Sequence, residues 1–349
     1  MGDSPVILDL YRLYHELNLR RSDLLSGPLR LWIKNFAPDV CLSMVSSGGM
    51  SCLAIRVADF ARAPLVPYIQ DDWPIGLHSH KGIFPGILRR SMHKWFIRAI
   101  TRAPIRIVIS QQMEDEYSIR YGGRFHTIAN CVDASRYSMS PPLICGSAPR
   151  IVRFVFTGNL YLDRSNSMLR IGESLARLRH RRLNGEVLIY TSPGHQKAFA
   201  AKLSMSGVMR FMKWVPPEQL PSVLQAADVL LHIDAHGSKQ HPWLRLSFGA
   251  KLPEYLMAGR PILSYMPADF AGAEYVARWK AGLVVGTTDE SSLDEAIARL
   301  IVDERLRSEL GANGLKIALS RHEAGKVRED FRRLLAQGSE RISIDRGDY

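Results

Sequence analysis

Residues 151–191 read IVRFVFTGNLYLDRSNSMLRIGESLARLRHRRLNGEVLIYT. An apolar run, Ile151–Thr157, stops at Gly158. A longer segment with helical spacing of apolar residues follows, Asn166–Arg181, and a second apolar run, Glu186–Thr191, closes the unit. A strand, a helix and a second strand in this order form a βαβ unit. The helix carries the chain back to the edge it started from, so the two strands lie parallel.

The same alternation fills the rest of the chain. Before this unit, strands are predicted at Asp39–Val45, Leu65–Ile69, Ile105–Ile109 and Phe125–Ala129. After it, they are predicted at Gly207–Lys213, Asp228–Ile233, Pro261–Tyr265 and Gly282–Val285, with helices at Pro217–Ala226, Ser291–Val302 and Glu304–Ser320. This pattern predicts an α/β protein with parallel sheets. The stretch 139–149, MSPPLICGSAP, has a Pro pair, a Gly and small residues and breaks the pattern. We therefore expect an N-terminal domain over 1–138, a linker over 139–149, a C-terminal domain over 150–320 and a closing helix and tail over 321–349. Val6–Leu19 reads as a helix or an extended lead-in, and the first clear strand comes near Asp39. The N-terminal domain is thus expected to be short by one or more βα units.

Composition sets limits. With 349 residues, 46% apolar and 23% charged, the chain suits two globular domains. A net charge of +12 favours anionic partners: nucleic acid, an anionic membrane surface or a phosphorylated small molecule. No helix-turn-helix, zinc-finger or RNA-binding motif supports nucleic acid. Cys41, Cys52, Cys131 and Cys145 form no C-x-x-C pair, which fits a reduced, cytoplasmic setting. No apolar run reaches the roughly 20 residues that span a bilayer, and no signal-peptide pattern opens the chain.

Chemistry concentrates in Leu246–Pro261, LSFGAKLPEYLMAGRP. Pro253 suits the first turn of a helix, Gly259 its end and Pro261 the next strand. Glu254 then sits at the start of a helix at the carboxyl edge of a parallel sheet, where α/β proteins bind ligands. A carboxylate there can accept hydrogen bonds from two vicinal ribose hydroxyls, and Lys251 can face phosphates. The plainer alternative is that Glu254 only complements the helix dipole.

Read as a set, these residues resemble the retaining GT-B glycosyltransferases of the family-four group. Many of that group read S-x-P-x-K-x-x-E-Y before G-x-P. Ser247, Lys251, Glu254, Tyr255, Gly259 and Pro261 fill that frame, with Gly249 at the proline. Other members place two glutamates around F-G. Here Phe248-Gly249 and Glu254 are present and Leu246 stands at the first acidic position. Phe156-Thr157-Gly158-Asn159-Leu160 with Arg164 is similar to the group's glycine loop, and Trp214–Leu231, Ala281–Val284 and Asp303–Ala318 are similar to later segments. In the first half, Pro38-Asp39-Val40, Ile109-Ser110 and Ala129–Asp133 match in order.

The resemblance implies two Rossmann-like, doubly wound domains facing a cleft, the first shortened. It implies a sugar transferred from a nucleotide-sugar, which is a substrate and not a cofactor, to a saccharide or lipid-linked acceptor. No metal is implied. The implied donor site is Gly158, Asn159, Arg164, Ser192, Lys251 and Glu254. Arg164 and Lys251 would also stabilise charge on the departing diphosphate. In Gln70-Asp71-Asp72-Trp73-Pro74, Gln70 stands where many members carry His. Asp71 and Asp72 are the implied catalytic carboxylates, able to orient or deprotonate an acceptor hydroxyl. The alternative is an Asp pair capping a loop. His78 and His80 lie nearby and read as acceptor or metal contacts, or as plain loop residues.

Gly76–Met113 holds seven Lys or Arg and no acidic residue. Within Gly86–Arg102, Leu88, Met92, Trp95, Phe96 and Ile100 share a helical face, and Arg89, Arg90, Lys94, Arg98 and Arg102 spread over the rest. Such a helix can rest on anionic lipid, at the inner face of a membrane, or pack on the core with a solvated basic face. The readings in play are therefore a glycosyltransferase of surface polysaccharide or glycolipid synthesis, a related GT-B epimerase or phosphorylase, and a catalytically degenerate nucleotide-sugar-binding protein or partner subunit.

Overall fold

The computed structural model describes residues 25–76, 85–137, 151–205, 207–236 and 241–345, with 10, 13, 14, 16–18 and 21. The linker stretch 139–149 and most of Val6–Leu19 lie outside these residues. The chain forms two compact units. The first gathers Met1–Ala129, Pro242–Ser247 and Arg328–Tyr349, and the second Asn130–His241 and Phe248–Val327.

The first unit is built on a parallel sheet of β1 (Cys41–Ser43), β2 (Leu65–Ile69), β3 (Ile107–Val108) and β4 (His126–Thr127), in that spatial order. Its helices are α1 (Gly27–Phe36), α2 (Gly48–Ala61), α3 (Trp73–Gly76), α4 (Pro85–Thr101) and α5 (Gln111–Tyr121). Ser47 and Ser110 cap α2 and α5 by accepting from the backbone N–H of Met50 and Met113. Val66, Ile105 and Ile107 form a small core against Phe331 and Leu335.

The second unit has a six-stranded parallel sheet ordered β10-β9-β8-β5-β6-β7. The strands are β5 (Val152–Thr157), β6 (Gly185–Tyr190), β7 (Met209–Phe211), β8 (Val229–Ile233), β9 (Ile262–Tyr265) and β10 (Gly282–Val285). The helices are α6 (Arg164–His180), α7 (Pro193–Leu203), α8 (Leu220–Gln225), α9 (Leu252–Met257), α10 (Ala271–Arg278), α11 (Glu290–Val302) and α12 (Glu304–Arg321), and α13 (Ala324–Asp345) leads back to the first unit. Alternate residues of the central strands build the core. Phe154 and Phe156, Val187 and Ile189, and Val229, Leu231 and Ile233 meet Ile171, Leu175 and Leu178 of α6 and Leu293, Ile297 and Leu300 of α11. Each such side chain stabilises the fold by about 1.5–3 kcal/mol before entropy is counted.

Every run read as a strand from the sequence forms one; β2 and β10 keep their bounds, β6 sits one residue earlier, and the others lose one or two residues at one end or at both. Helix α6 starts two residues earlier than its apolar pattern. Leu162 (φ 55°) and Asp163 (φ 66°) take left-handed conformations and tighten the turn before Arg164.

Candidate functional site

In the second unit, α9 carries Lys251 at its N-cap and Pro253 and Glu254 in its first turn. Lys251 Nζ lies 2.9 Å from Glu254 Oε2, with the side chains 42% and 23% exposed. The neighbouring Tyr255 is buried and faces the end of β5. Its hydroxyl accepts from the Thr157 backbone N–H at 3.0 Å and lies 3.1 Å from Thr157 Oγ1. Burial pushes the Tyr255 phenol up to about 12, so it serves as a neutral hydrogen-bonding group. Tyr137 is buried too; burial first, and then the Glu254 carboxylate, raise its phenol.

Strand β5 ends at Thr157, just before Gly158, whose φ of 147° favours glycine, and the Gly158 N–H donates to the Tyr190 carbonyl at 3.1 Å. The loop then delivers Arg164 to the start of α6. Its Nη1 donates to Asn159 Oδ1 at 2.8 Å and its Nη2 to Asp234 Oδ2 at 3.1 Å. Asp234 directly follows β8. The sequence offered no signal for it, because nothing in its spacing ties it to a residue seventy positions earlier. On β8, His232 faces two glycines: a Cβ at Gly249 would lie 2.6 Å from its Nε2, and one at Gly272 2.4 Å from its Cε1. Burial, and then the Arg164 charge, push His232 down to about 4.

Gly158, Asn159, Arg164, Lys251 and Glu254 therefore belong to one unit, with Tyr255 bonded directly to Thr157. Their elements open at the carboxyl edge of its sheet. Chemically, Arg164 and Lys251 are cationic N–H donors able to meet an anion, and Glu254 is an acceptor able to meet hydroxyls. Ser192 follows β6 in the same unit. Its hydroxyl accepts from the His195 backbone N–H at 3.4 Å and lies 3.0 Å from His195 Nδ1, so its observed role is to cap α7.

In the first unit the two aspartates after β2 part company. Asp71 is exposed and accepts from Ser247 Oγ at 2.8 Å. Asp72 is 1% exposed. It accepts from Tyr117 Oη at 2.9 Å and from Arg120 Nη1 at 2.8 Å. Asp72, expected as a catalytic carboxylate, has its oxygens engaged inside the unit, and it holds α5 to the β2 end. Leu246 is also fully buried, and its carbonyl accepts from Ser110 Oγ at 2.9 Å.

Helix α4 turns Met92, Phe96 and Ile100 into the core and leaves Arg90, Lys94 and Arg98 exposed, with Arg98 stacked over the Trp95 ring at 5.1 Å. The Leu88 side chain lies outside the described residues, as do His78 and His80. Among the described residues, no three His, Cys, Asp or Glu side chains assemble a metal-holding group. No helix among them is long and apolar enough to cross a membrane.

Comparison with known proteins adds family and fold. Residues 152–303 match the family model described as "Glycosyl transferases group 1", and residues 5–136 match "Glycosyltransferase Family 4". A stretch of 108 residues is 32% identical to D-inositol 3-phosphate glycosyltransferase of Corynebacterium urealyticum, covering 31% of this chain and 23% of that relative. Anabaena HepE in complex with UDP-glucose superposes with a TM-score of 0.65 at 15% identity, over 91% of this chain and 84% of that one. WaaG, a glycosyltransferase involved in lipopolysaccharide biosynthesis, gives a TM-score of 0.56 at 18% identity, over 84% and 82%. At these identities the structural likeness is one of fold: two parallel-sheet α/β domains of GT-B type.

Proposed function

We propose that this chain, which matches glycosyltransferase family models in both halves and has a fold of GT-B type, transfers a sugar from a nucleotide-sugar to a saccharide or lipid-linked acceptor. The reaction proceeds with retention at the anomeric carbon and serves surface polysaccharide or glycolipid synthesis on the cytoplasmic side of a membrane. The observation that carries the reading is the joining of Lys251 and Glu254 to the Gly158–Arg164 loop through the Tyr255–Thr157 bond. UDP-glucose bound to HepE supports a nucleotide-sugar donor, and the name of WaaG supports a glycolipid setting.

In this mechanism Glu254 accepts hydrogen bonds from the ribose hydroxyls. Arg164 and Lys251 face the diphosphate and stabilise the charge it gains as the glycosidic bond breaks. The leaving phosphate takes the acceptor's proton on the same face, so no enzyme nucleophile is needed. Asp71 orients the acceptor hydroxyl, with Ser247 fixing its carboxylate. The exposed basic face of α4 draws the protein to anionic lipid, near a lipid-linked acceptor.

A second reading is a nucleotide-sugar-binding protein without turnover. It is favoured by Leu246, a buried apolar residue at the position where relatives of this pattern carry an acid. Incubation with UDP-, GDP- and dTDP-sugars, with and without membrane extract, separates the two. Nucleotide release stimulated by the extract supports transfer. Binding without release supports the second reading and overturns the first.

A further inference from the structure

The Arg164 guanidinium meets a carboxylate within its own unit. Nη2 donates to Asp234 Oδ2 at 3.1 Å, and Nη1 donates to the neutral Asn159 Oδ1 at 2.8 Å. Asp234 is itself held in place. Its carbonyl accepts from Ser167 Oγ at 2.8 Å, its N–H donates to the Tyr265 carbonyl at 3.3 Å, and Oδ1 accepts from the Ala235 N–H at 3.0 Å. The Arg164 and Asp234 side chains are 19% and 15% exposed, so water screens the pair only in part. The cation assigned to the donor diphosphate thus has a built-in counter-charge before any ligand arrives.

Resting on the donor-site reading above, we propose that Asp234 is a positioning residue that aims Arg164 and holds down the site's affinity for the nucleoside diphosphate product. A nucleoside diphosphate is strongly anionic, and every fixed negative charge near Arg164 repels it. A partly buried carboxylate at this distance from the cation changes diphosphate affinity by about tenfold. Without that counter-charge the product would be held tightly and would leave slowly. Two backbone bonds and one side-chain bond fix Asp234, so it restrains the guanidinium through every turnover.

The test uses the full chain and two opposed substitutions. UDP, GDP and dTDP are titrated calorimetrically, and the one that binds the unchanged protein serves as product inhibitor. Asp234→Asn keeps the shape and removes the charge. It should bind the nucleoside diphosphate about tenfold tighter, lower the donor KM and lower kcat. Asn159→Asp places a second carboxylate on the other amino group and should weaken binding by a similar factor. Both shifts should shrink in high salt.

A purely structural role would lower the melting temperature of Asp234→Asn without strengthening nucleotide binding, and that result overturns the proposal. So does unchanged affinity in Asp234→Asn. If that variant does not fold, Asn159→Asp decides alone, and unchanged affinity there overturns the proposal as well. If the unchanged protein binds none of the three nucleotides, the donor-site reading fails and takes this inference with it.

Discussion

The Tyr255 hydroxyl accepts a hydrogen bond from the Thr157 backbone N–H at 3.0 Å and so fastens the helix bearing Glu254 to the end of the strand that precedes Gly158. Tyr255→Phe leaves that buried N–H without its partner. The unpaired group costs about 1–3 kcal/mol. Urea unfolding should show the loss, and nucleotide affinity should fall with it because Glu254 is no longer held in register. A phenylalanine variant as stable as the parent, with unchanged nucleotide affinity, would remove this bond from the account.

Asp71 and Asp72 should behave as opposites. Asp72 is buried against Tyr117 and Arg120, so Asp72→Asn takes one carboxylate from Arg120 and leaves it only its ion pair with Glu116. Losing that buried charge-assisted hydrogen bond costs about 1.5–3 kcal/mol. Asp71→Asn should melt with the parent and lose more than about tenfold in turnover, the scale of a lost charge-assisted hydrogen bond to the acceptor hydroxyl. Thermal melts beside an acceptor-dependent assay read both effects. Equal stability of the two variants would contradict the assignment.

His322 and His232 should weaken the second unit in acid. His322 is buried; its Nδ1 faces the Asn130 carbonyl at 3.2 Å and its Nε2 faces the Tyr275 hydroxyl at 2.9 Å. Burial is the main cause that pushes both imidazoles from 6.5 down to about 4, with Arg321 adding to it at His322 and Arg164 at His232. A depressed folded-state value means that the unfolded chain takes up the proton first as pH falls. The stability each residue contributes is complete above pH 6.5 and is lost between 6.5 and about 4, by up to roughly 3 kcal/mol per residue. Denaturant unfolding at pH 7, 5.5 and 4.5 should show this decline, and His322→Gln should flatten it. An unchanged slope in that variant would refute the assignment.

Gly249 is present because His232 occupies the space that a side chain would need. Gly249→Ala sets a Cβ about where Nε2 now allows 2.6 Å. Overpacking of this kind costs about 1–3 kcal/mol. The double variant Gly249→Ala with His232→Ala should recover part of that loss. Additive losses would mean that the glycine serves some other purpose.

The fold was legible because its strands are short, apolar and bounded by Gly, Pro or Asp, as buried parallel strands must be. Gly158 and the Lys251–Glu254 spacing were legible for a related reason: each is set by local turn or helix geometry. Asp71 and Asp72 were not separable. A one-residue step at a strand end sends the side chains opposite ways, and only the arrival of Tyr117 and Arg120 decides which one is buried. Ser192 is a donor contact only through the resemblance, and in the structure its hydroxyl caps α7 at His195. Asp234 and His232 were invisible, because their partners Arg164, Gly249 and Gly272 lie far off in sequence. The grouping of Pro242–Ser247 and Arg328–Tyr349 with the first unit is likewise a product of long-range packing.

The most direct measurement is calorimetric binding of UDP, GDP and dTDP to the parent chain, Lys251→Ala and Glu254→Ala. If Lys251 and Glu254 hold the diphosphate and the ribose, the parent binds one of these nucleotides and each variant binds it at least about tenfold more weakly, the scale of a lost charge-assisted hydrogen bond. If both variants bind that nucleotide as tightly as the parent, the donor site lies elsewhere and the account is wrong.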